Sequence, residues 1–171
     1  MDIWSKDKRS QVMSLIRGQN TKPEVIIRKI LYKRGYRYRL NYSKLPGKPD
    51  IVFPKYKIVI FIHGCFWHGH ENCKIAHIPK TNTKYWSDKF TKNKERDNNV
   101  SLSLINMGWQ VLIIWECEIT KTNIQNVINK IEHHILCSTS RYTEKKLRVR
   151  IYEEIDNQIC NVAEDIIPYE K

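Results

Sequence analysis

The chain has 171 residues, 41% of them hydrophobic, which suits one domain with a single core. No run approaches the roughly 20 apolar residues that span a bilayer, and Met1-Asp2-Ile3-Trp4-Ser5-Lys6-Asp7 has no apolar stretch of the signal-peptide kind, so neither a membrane nor a secreted protein is expected and the cytoplasm is the default compartment. The net charge of +12 is uneven: residues 1–50 carry 13 Lys and Arg against 4 Asp and Glu, residues 51–137 carry 11 against 7, and residues 138–171 carry 6 against 7, which points to a polyanion bound by the first two thirds.

Ser5 to Arg17 reads as a short helix with Val12, Leu15 and Ile16 on one face, broken by Gly18-Gln19-Asn20. Thr21-Lys22-Pro23-Glu24 matches a capping box. The helix it opens runs to about Arg34, with Ile26, Ile27, Ile30 and Leu31 as its core stripe and Gly35 at its C′ position. Tyr36, Tyr38 and Leu40 alternate with Arg37 and Arg39, the pattern of a strand with a basic face. Leu45 to Pro49 is a turn. Ile51 to Phe53 and Lys57 to Ile62 read as strands of a hairpin. Residues 74–83 are irregular, Tyr85 to Met107 is helical, and Gly108 stops that helix. Trp109 to Trp115 is a strand expected to be buried on both faces. Thr122 to about Leu136 is the last helix of the core. The strand–helix–strand–helix order from 57 to 136 implies a right-handed crossover and a mixed α/β sheet.

The densest chemistry is the run His63-Gly64-Cys65-Phe66-Trp67-His68-Gly69-His70-Glu71-Asn72-Cys73, placed where an apolar strand ends. Five cysteines, an odd number, argue for metal ligation or free thiols rather than a disulfide framework. Cys65, His70 and Cys73 favour tetrahedral Zn²⁺. Cys117 is the natural fourth ligand, because it lies just past the end of the strand 109–115, beside the end of strand 57–62 in a parallel sheet. The alternative is that Cys117 is a small core residue. Asp50, at the start of one strand and beside the end of the next, is placed to hold Mg²⁺ near a phosphate. His63 and His68 are imidazoles that can activate water or protonate a leaving oxygen. Phe66 and Trp67, next to metal ligands, can wedge between base pairs or stack on a base; so can Trp86. The alternative for all three is local packing over the metal loop.

Several separated blocks together resemble the very-short-patch-repair (Vsr) mismatch endonuclease family: Arg9-Ser10 with Met13, Thr21 to Glu24, Leu45 to Asp50, the His63–Cys73 run, Lys92-Asn93 with Glu95-Arg96-Asp97, and Gly108-Trp109 through Trp115-Glu116-Cys117. The resemblance covers roughly residues 5–136. It implies a restriction-endonuclease-like (PD-(D/E)XK-related) fold: a central mixed sheet flanked by helices, with a structural zinc site. It implies a Mg²⁺-dependent nick on the 5′ side of the thymine in a T:G mismatch, the product of 5-methylcytosine deamination.

Carried over residue by residue, the resemblance makes Asp50 and the backbone carbonyl of Ile62 the Mg²⁺ ligands, and His63 and His68 the groups that assist hydrolysis. Cys65, His70, Cys73 and Cys117 become the zinc ligands. Phe66, Trp67 and Trp86 intercalate beside the mismatch, Met13 lies on a helix that closes over the DNA, and Lys89 and Asn93 contact the mismatched bases. Ile62 stands where Thr is usual, and two residues separate His70 from Cys73 where one is common. The implied domain is residues 1–137, with 1–20 as a basic DNA-binding segment and 138–171 as an extension of unknown role. The implied partner is T:G-mismatched duplex DNA, with repair proteins and a cognate cytosine methyltransferase as further candidates, for a monomer with no membrane association. Two rival functions use the same residues: a sequence-specific restriction-type nuclease on paired DNA, and a non-catalytic zinc-stabilised DNA-binding module.

Overall fold

The computed structural model describes residues 6–15 and 18–139. Its contacts divide the chain into residues 1–132, which hold the sheet, and residues 133–171. The elements are α1 (Lys6–Leu15), α2 (Lys22–Lys33), β1 (Arg39–Leu40), β2 (Ile51–Phe53), β3 (Ile58–His63), α3 (Thr83–Asn106) and β4 (Gln110–Trp115), followed by a helical run over residues 124–139. Ser5, Ile16 and Arg17, proposed as the ends of the first helix, lie outside the described residues. Among the described residues, no helix is long and apolar enough to cross a membrane.

The four strands form one mixed sheet in the order β1-β2-β3-β4. β2 and β3 are the expected hairpin, joined by a short 3₁₀ turn (Pro54–Tyr56), with Lys57 in the left-handed region at φ 54°. β3 and β4 are parallel, with His63 opposite Trp115. The crossover between them is α3, whose C-terminal stop is Gly108 at φ 78°.

Alternation along β3 splits the core in two. Val52, Val59 and Leu104 of α3 cluster with Leu45 on one face, with Phe61, Val100 and Val111 packed around them. Ile51, Phe53, Ile58, Ile60 and Ile62 face the other way and are all buried. The edges of Tyr36 and Tyr38 meet Phe53 on that side at 6.1 and 6.0 Å, and the Tyr38 hydroxyl donates to the Arg28 carbonyl of α2 at 2.8 Å. Arg34, just past α2, donates to Glu132 at 2.7 Å and to Gln125 at 3.0 Å.

Four expectations need correction. The strand over Tyr36–Leu40 shrinks to Arg39–Leu40. The Gly35 and Tyr36 N–H groups instead donate to the Tyr32 and Leu31 carbonyls, closing α2 in a Schellman turn that sends the two tyrosines against Phe53. The capping box does not form: the Thr21 hydroxyl donates to Glu24 Oε1 at 2.9 Å and makes no bond to the helix backbone. The stripe of α2 is rotated, so that Ile26 is exposed while Glu24, Ile27, Arg28 and Leu31 are buried. Among the described residues β4 is an edge strand, and only Leu112 and Ile114 are buried along it.

Candidate active site and metal centre

Two turns place the site at the C-terminal end of β3. The first is Leu45-Pro46-Gly47-Lys48, closed by the Lys48 N–H donating to the Leu45 carbonyl at 3.2 Å. Gly47 sits at φ 71°, and a Cβ there would lie 2.4 Å from Val100 Cγ1 and 3.3 Å from the Phe61 ring. Only glycine allows this turn to press on α3 and Phe61, and the chain then enters β2 directly after Asp50. Because β2 starts beside the end of β3, the Asp50 carboxylate reaches the Ile62 N–H, which donates to Oδ2 at 2.8 Å. Burial lifts the Asp50 carboxyl from its ordinary 3.8 to about 6, against the Ile62 N–H that favours its charge. The Glu24 carboxylate adds to the rise and Arg28 opposes it.

The second turn carries the Cys- and His-rich run from His63 to Cys73. His68, Gly69 and His70 donate their N–H groups to the carbonyls of Gly64, Phe66 and Cys65, a single helical turn closed like a Schellman motif by Gly69 at φ 59°. A Cβ on Gly69 would approach Lys94 Cε to 3.1 Å. The turn sends the two following imidazoles in different directions. His68 stacks on His63, ring centres 3.7 Å apart and 7° from parallel. His70 stacks on Trp115 at 4.0 Å and 5°. The two-residue spacer is accommodated by Asn72 at φ 55° and by Glu71, whose carboxylate meets Lys94 at 2.9 Å.

His68 Nδ1 lies 2.5 Å from Asp97 Oδ2, and Asp97 also accepts from Arg96. Burial raises the Asp97 carboxyl, but hydrogen bonds from His68 and Arg96 outweigh it and hold the group below its ordinary value. His63 is buried, which pushes its imidazole from 6.5 down to about 4; the neighbouring His68 pushes the same way and Asp97 opposes. His63, His68 and Asp97 bring their donor atoms within 4.8 Å of one another. Asp50, Ile62, His63, His68 and Asp97 line one cavity of about 1410 Å³, together with Glu24.

Beyond β3 the parallel register brings Cys65 and Cys117 together, each two residues past the pair His63–Trp115. Cys65, His70, Cys73 and Cys117 place their donor atoms within 4.8 Å of one another. His70 Nδ1 is 3.5 Å from Cys65 Sγ and 3.4 Å from Cys117 Sγ. Burial pushes the Cys65 thiol up to about 12 and raises that of Cys117 as well, whereas the Ile75 N–H holds the Cys73 thiol below its ordinary value. A cation bound here has to displace thiol protons, so its affinity rises with pH.

The aromatic residues form one half-buried cluster. Phe66 meets Trp67, Trp86 and Phe90 edge to face at 5.1, 5.2 and 5.4 Å. Trp67 lines the cavity; Phe66 and Trp86 do not. Asn93 is buried and donates from Nδ2 to the Trp67 carbonyl at 2.7 Å, pinning this loop to α3. Lys89 is exposed on the same helix and lies off the cavity lining. The Met13 side chain lies outside what the structure describes, although its backbone belongs to α1.

Sequence reasoning gave no place in the site to two groups. Asp97 sits in a charged segment 29 residues from His68. Its signal is the stripe Phe90, Asn93, Asp97, Val100, Leu104, spaced three and four apart, apolar at the core end and polar beside the site. The other is the buried pair Glu24–Arg28, 2.6 Å apart, with Arg28 Nη1 donating to Asn20 Oδ1.

A family model described as DNA mismatch endonuclease Vsr matches residues 1–74. The type II nicking enzyme V.NmeAIP of Neisseria meningitidis serogroup A is 48% identical over 135 residues, 78% of this chain and 96% of that protein. The type II nicking enzyme V.XorIIP of Xanthomonas oryzae pv. oryzae is 44% identical over 119 residues, 70% of this chain and 87% of the relative. The DNA mismatch endonuclease Vsr of Escherichia coli is 41% identical over 116 residues, 68% of this chain and 74% of the relative.

Proposed function

Because this chain belongs to the Vsr family of DNA mismatch endonucleases, we propose that it nicks one strand of duplex DNA on the 5′ side of the thymine in a T:G mismatch. The mixed sheet is then a restriction-endonuclease-like one. The observation that carries the reading is the convergence of Asp50, the Ile62 peptide, the stacked His63–His68 pair and Asp97 on one cavity.

Asp50 and the Ile62 carbonyl would hold Mg²⁺, which would supply charge stabilisation at the scissile phosphate. The chain's own groups do the rest. The Ile62 N–H fixes the Asp50 carboxylate and favours its ionised form. Asp97 accepts from His68 Nδ1, which sets the tautomer and leaves Nε2 as the nitrogen that takes or gives a proton. His63, buried and neutral, backs the ring of His68 by stacking. The name nicking enzyme borne by two of the relatives supports single-strand incision.

Zinc is the proposed ion of the Cys65, His70, Cys73 and Cys117 cluster. A tetrahedral site with Zn–S near 2.3 Å and Zn–N near 2.0 Å has N···S edges of about 3.5 Å, close to the 3.4 and 3.5 Å seen. Its role would be structural: bound there it would tie the loop after β3 to the segment after β4, and so fix the Phe66–Trp67 turn with Trp67 on the cavity wall. Those rings, with Trp86, are proposed to enter the stack beside the mismatch, where the T:G pair unstacks most cheaply. Lys89, Asn93 and Met13 are retained as DNA contacts, with Asn93 also supporting the Trp67 loop. Residues 1–137 form the endonuclease domain in this reading, 1–20 gripping the duplex and 138–171 an extension.

The test is incision of a labelled T:G duplex with and without Mg²⁺ by the wild-type and Asp50→Ala proteins. Nicking that needs both the metal and Asp50 supports the reading. Activity in the Asp50→Ala protein within tenfold of wild type would mean that another carboxylate holds the metal.

A further inference from the structure

Three cations at the far end of the sheet lie off the lining of the nicking cavity. β3 runs from Ile58 to His63, so at ~3.3 Å per residue its first residue lies about 16 Å from the catalytic end. There, three cations sit over aromatic rings. Lys57 Nζ is 4.8 Å from the centre of Trp109, Lys55 Nζ is 5.3 Å from that of Tyr56, and Arg37 Cζ is 4.5 Å from that of Tyr32. The buried ring of Phe53 joins the segments of Arg37 and Lys55, meeting Tyr36 at 6.1 Å and Tyr56 at 6.3 Å, while Trp109 packs on the other face, against the cluster of Leu45, Val52, Val59 and Leu104. All three cations are exposed, and among the described residues none of them forms an ion pair. Glu132, which borders Tyr36, is engaged by Arg34.

We infer that this ridge is a second binding site for duplex DNA, gripped through its phosphates, at the opposite end of the sheet from the nicking cavity. A cation resting on a ring has already given up part of its side-chain freedom, so meeting a phosphate orders it less. Three point charges, one ahead of β1 and two on the β2–β3 turn, suit the repeating phosphate charge of a duplex, one per ~1.7 Å of axis. The ridge lies at the opposite end of β3 from the cavity, so a duplex laid across the cavity end of the sheet, at right angles to the strands, does not reach it. The protein therefore bridges two duplex segments. The inference rests on the nicking reading only for the choice of DNA as the polyanion.

The Asp50→Ala protein, loaded on an immobilised T:G duplex, is offered a fluorescent, fully paired second duplex. The same protein carrying Arg37→Gln, Lys55→Gln and Lys57→Gln is compared with it. These three substitutions are also placed in wild-type protein for single-turnover nicking. The expected result is capture of the second duplex, tenfold or more weaker with the three substitutions, with a log K against log salt slope shallower by about 2–3. Nicking stays within twofold of wild type. No capture, or equal capture by the substituted protein, overturns the inference. So does nicking that falls in step with capture, which would assign the ridge to the first duplex. Capture only where light scattering shows dimers overturns it too, as does binding of polyglutamate without a second duplex, which would make the ridge a protein-docking face. Absence of nicking in wild-type protein counts against the nicking reading and leaves the bridging result to stand by itself.

Discussion

Asp50→Asn is expected to abolish nicking and stabilise the protein at once. The carboxyl is lifted from 3.8 to about 6 because its charge is poorly solvated where it sits. A group protonated more readily folded than unfolded costs nothing below about pH 3.8, where it is neutral in both states. The cost grows as pH rises and levels off above about 6, at roughly 3 kcal/mol for a rise of this size. Asparagine is neutral throughout, and its Oδ1 can still accept from the Ile62 N–H. In Mg²⁺-free buffer at pH 7.5 the variant should gain about 2–3 kcal/mol, or roughly 5–10 °C in Tm for a chain of this length. Near pH 5 the gain should halve. Adding Mg²⁺ should raise the Tm of the wild type and leave the variant unmoved. Thermal unfolding by circular dichroism reads all of this. A variant no more stable than wild type at pH 7.5, or a gain that does not shrink at pH 5, would refute the reasoning.

Asp97→Asn should lower nicking by about 10²–10³-fold through loss of the set His68 tautomer, with affinity for a T:G duplex within twofold of wild type; a matching loss of affinity would make Asp97 a fold residue. One equivalent of zinc should co-purify, and Cys73→Ser should cost several kcal/mol in urea unfolding, because ion binding and folding are coupled here. Folded, active protein without zinc by elemental analysis would remove that claim. Phe66→Ala and Trp67→Ala should each weaken T:G binding by about 1–3 kcal/mol and matched-duplex binding by less. Equal losses on both duplexes would leave the rings a packing role alone.

The Cys/His cluster was legible because three of its four members share one short run, and because strand ends in a parallel sheet lie side by side, which pointed to Cys117. The hairpin and the Gly108 stop were legible from apolar runs and turn residues. Asp97 and the Glu24–Arg28 pair were not. Local rules see Thr21 and Glu24 three apart and infer a cap, whereas the fold uses Glu24 as the buried partner of Arg28, near Asp50. Nothing local says that α2 turns this pair inward. Which face of α3 meets the cavity is likewise settled by packing: Leu104 and Val100 seat one end on the sheet, and Asp97 and Asn93 follow onto the site one and two turns earlier. The tyrosines at 36 and 38 read as a strand because alternation marks burial on one side, and here Phe53 supplies that side without a ladder.

The central claim is that the Asp50, His63, His68 and Asp97 cavity cuts one strand at a mismatch. Its most direct measurement is incision of otherwise identical T:G and C:G duplexes with randomised flanks, each strand end-labelled and the product ends mapped. The account predicts one Mg²⁺-dependent nick, on the strand bearing the mismatched thymine and on its 5′ side, with the C:G duplex intact. Cutting of both strands of the C:G duplex at a fixed sequence, or tight binding to both duplexes with no incision in Mg²⁺, would contradict it.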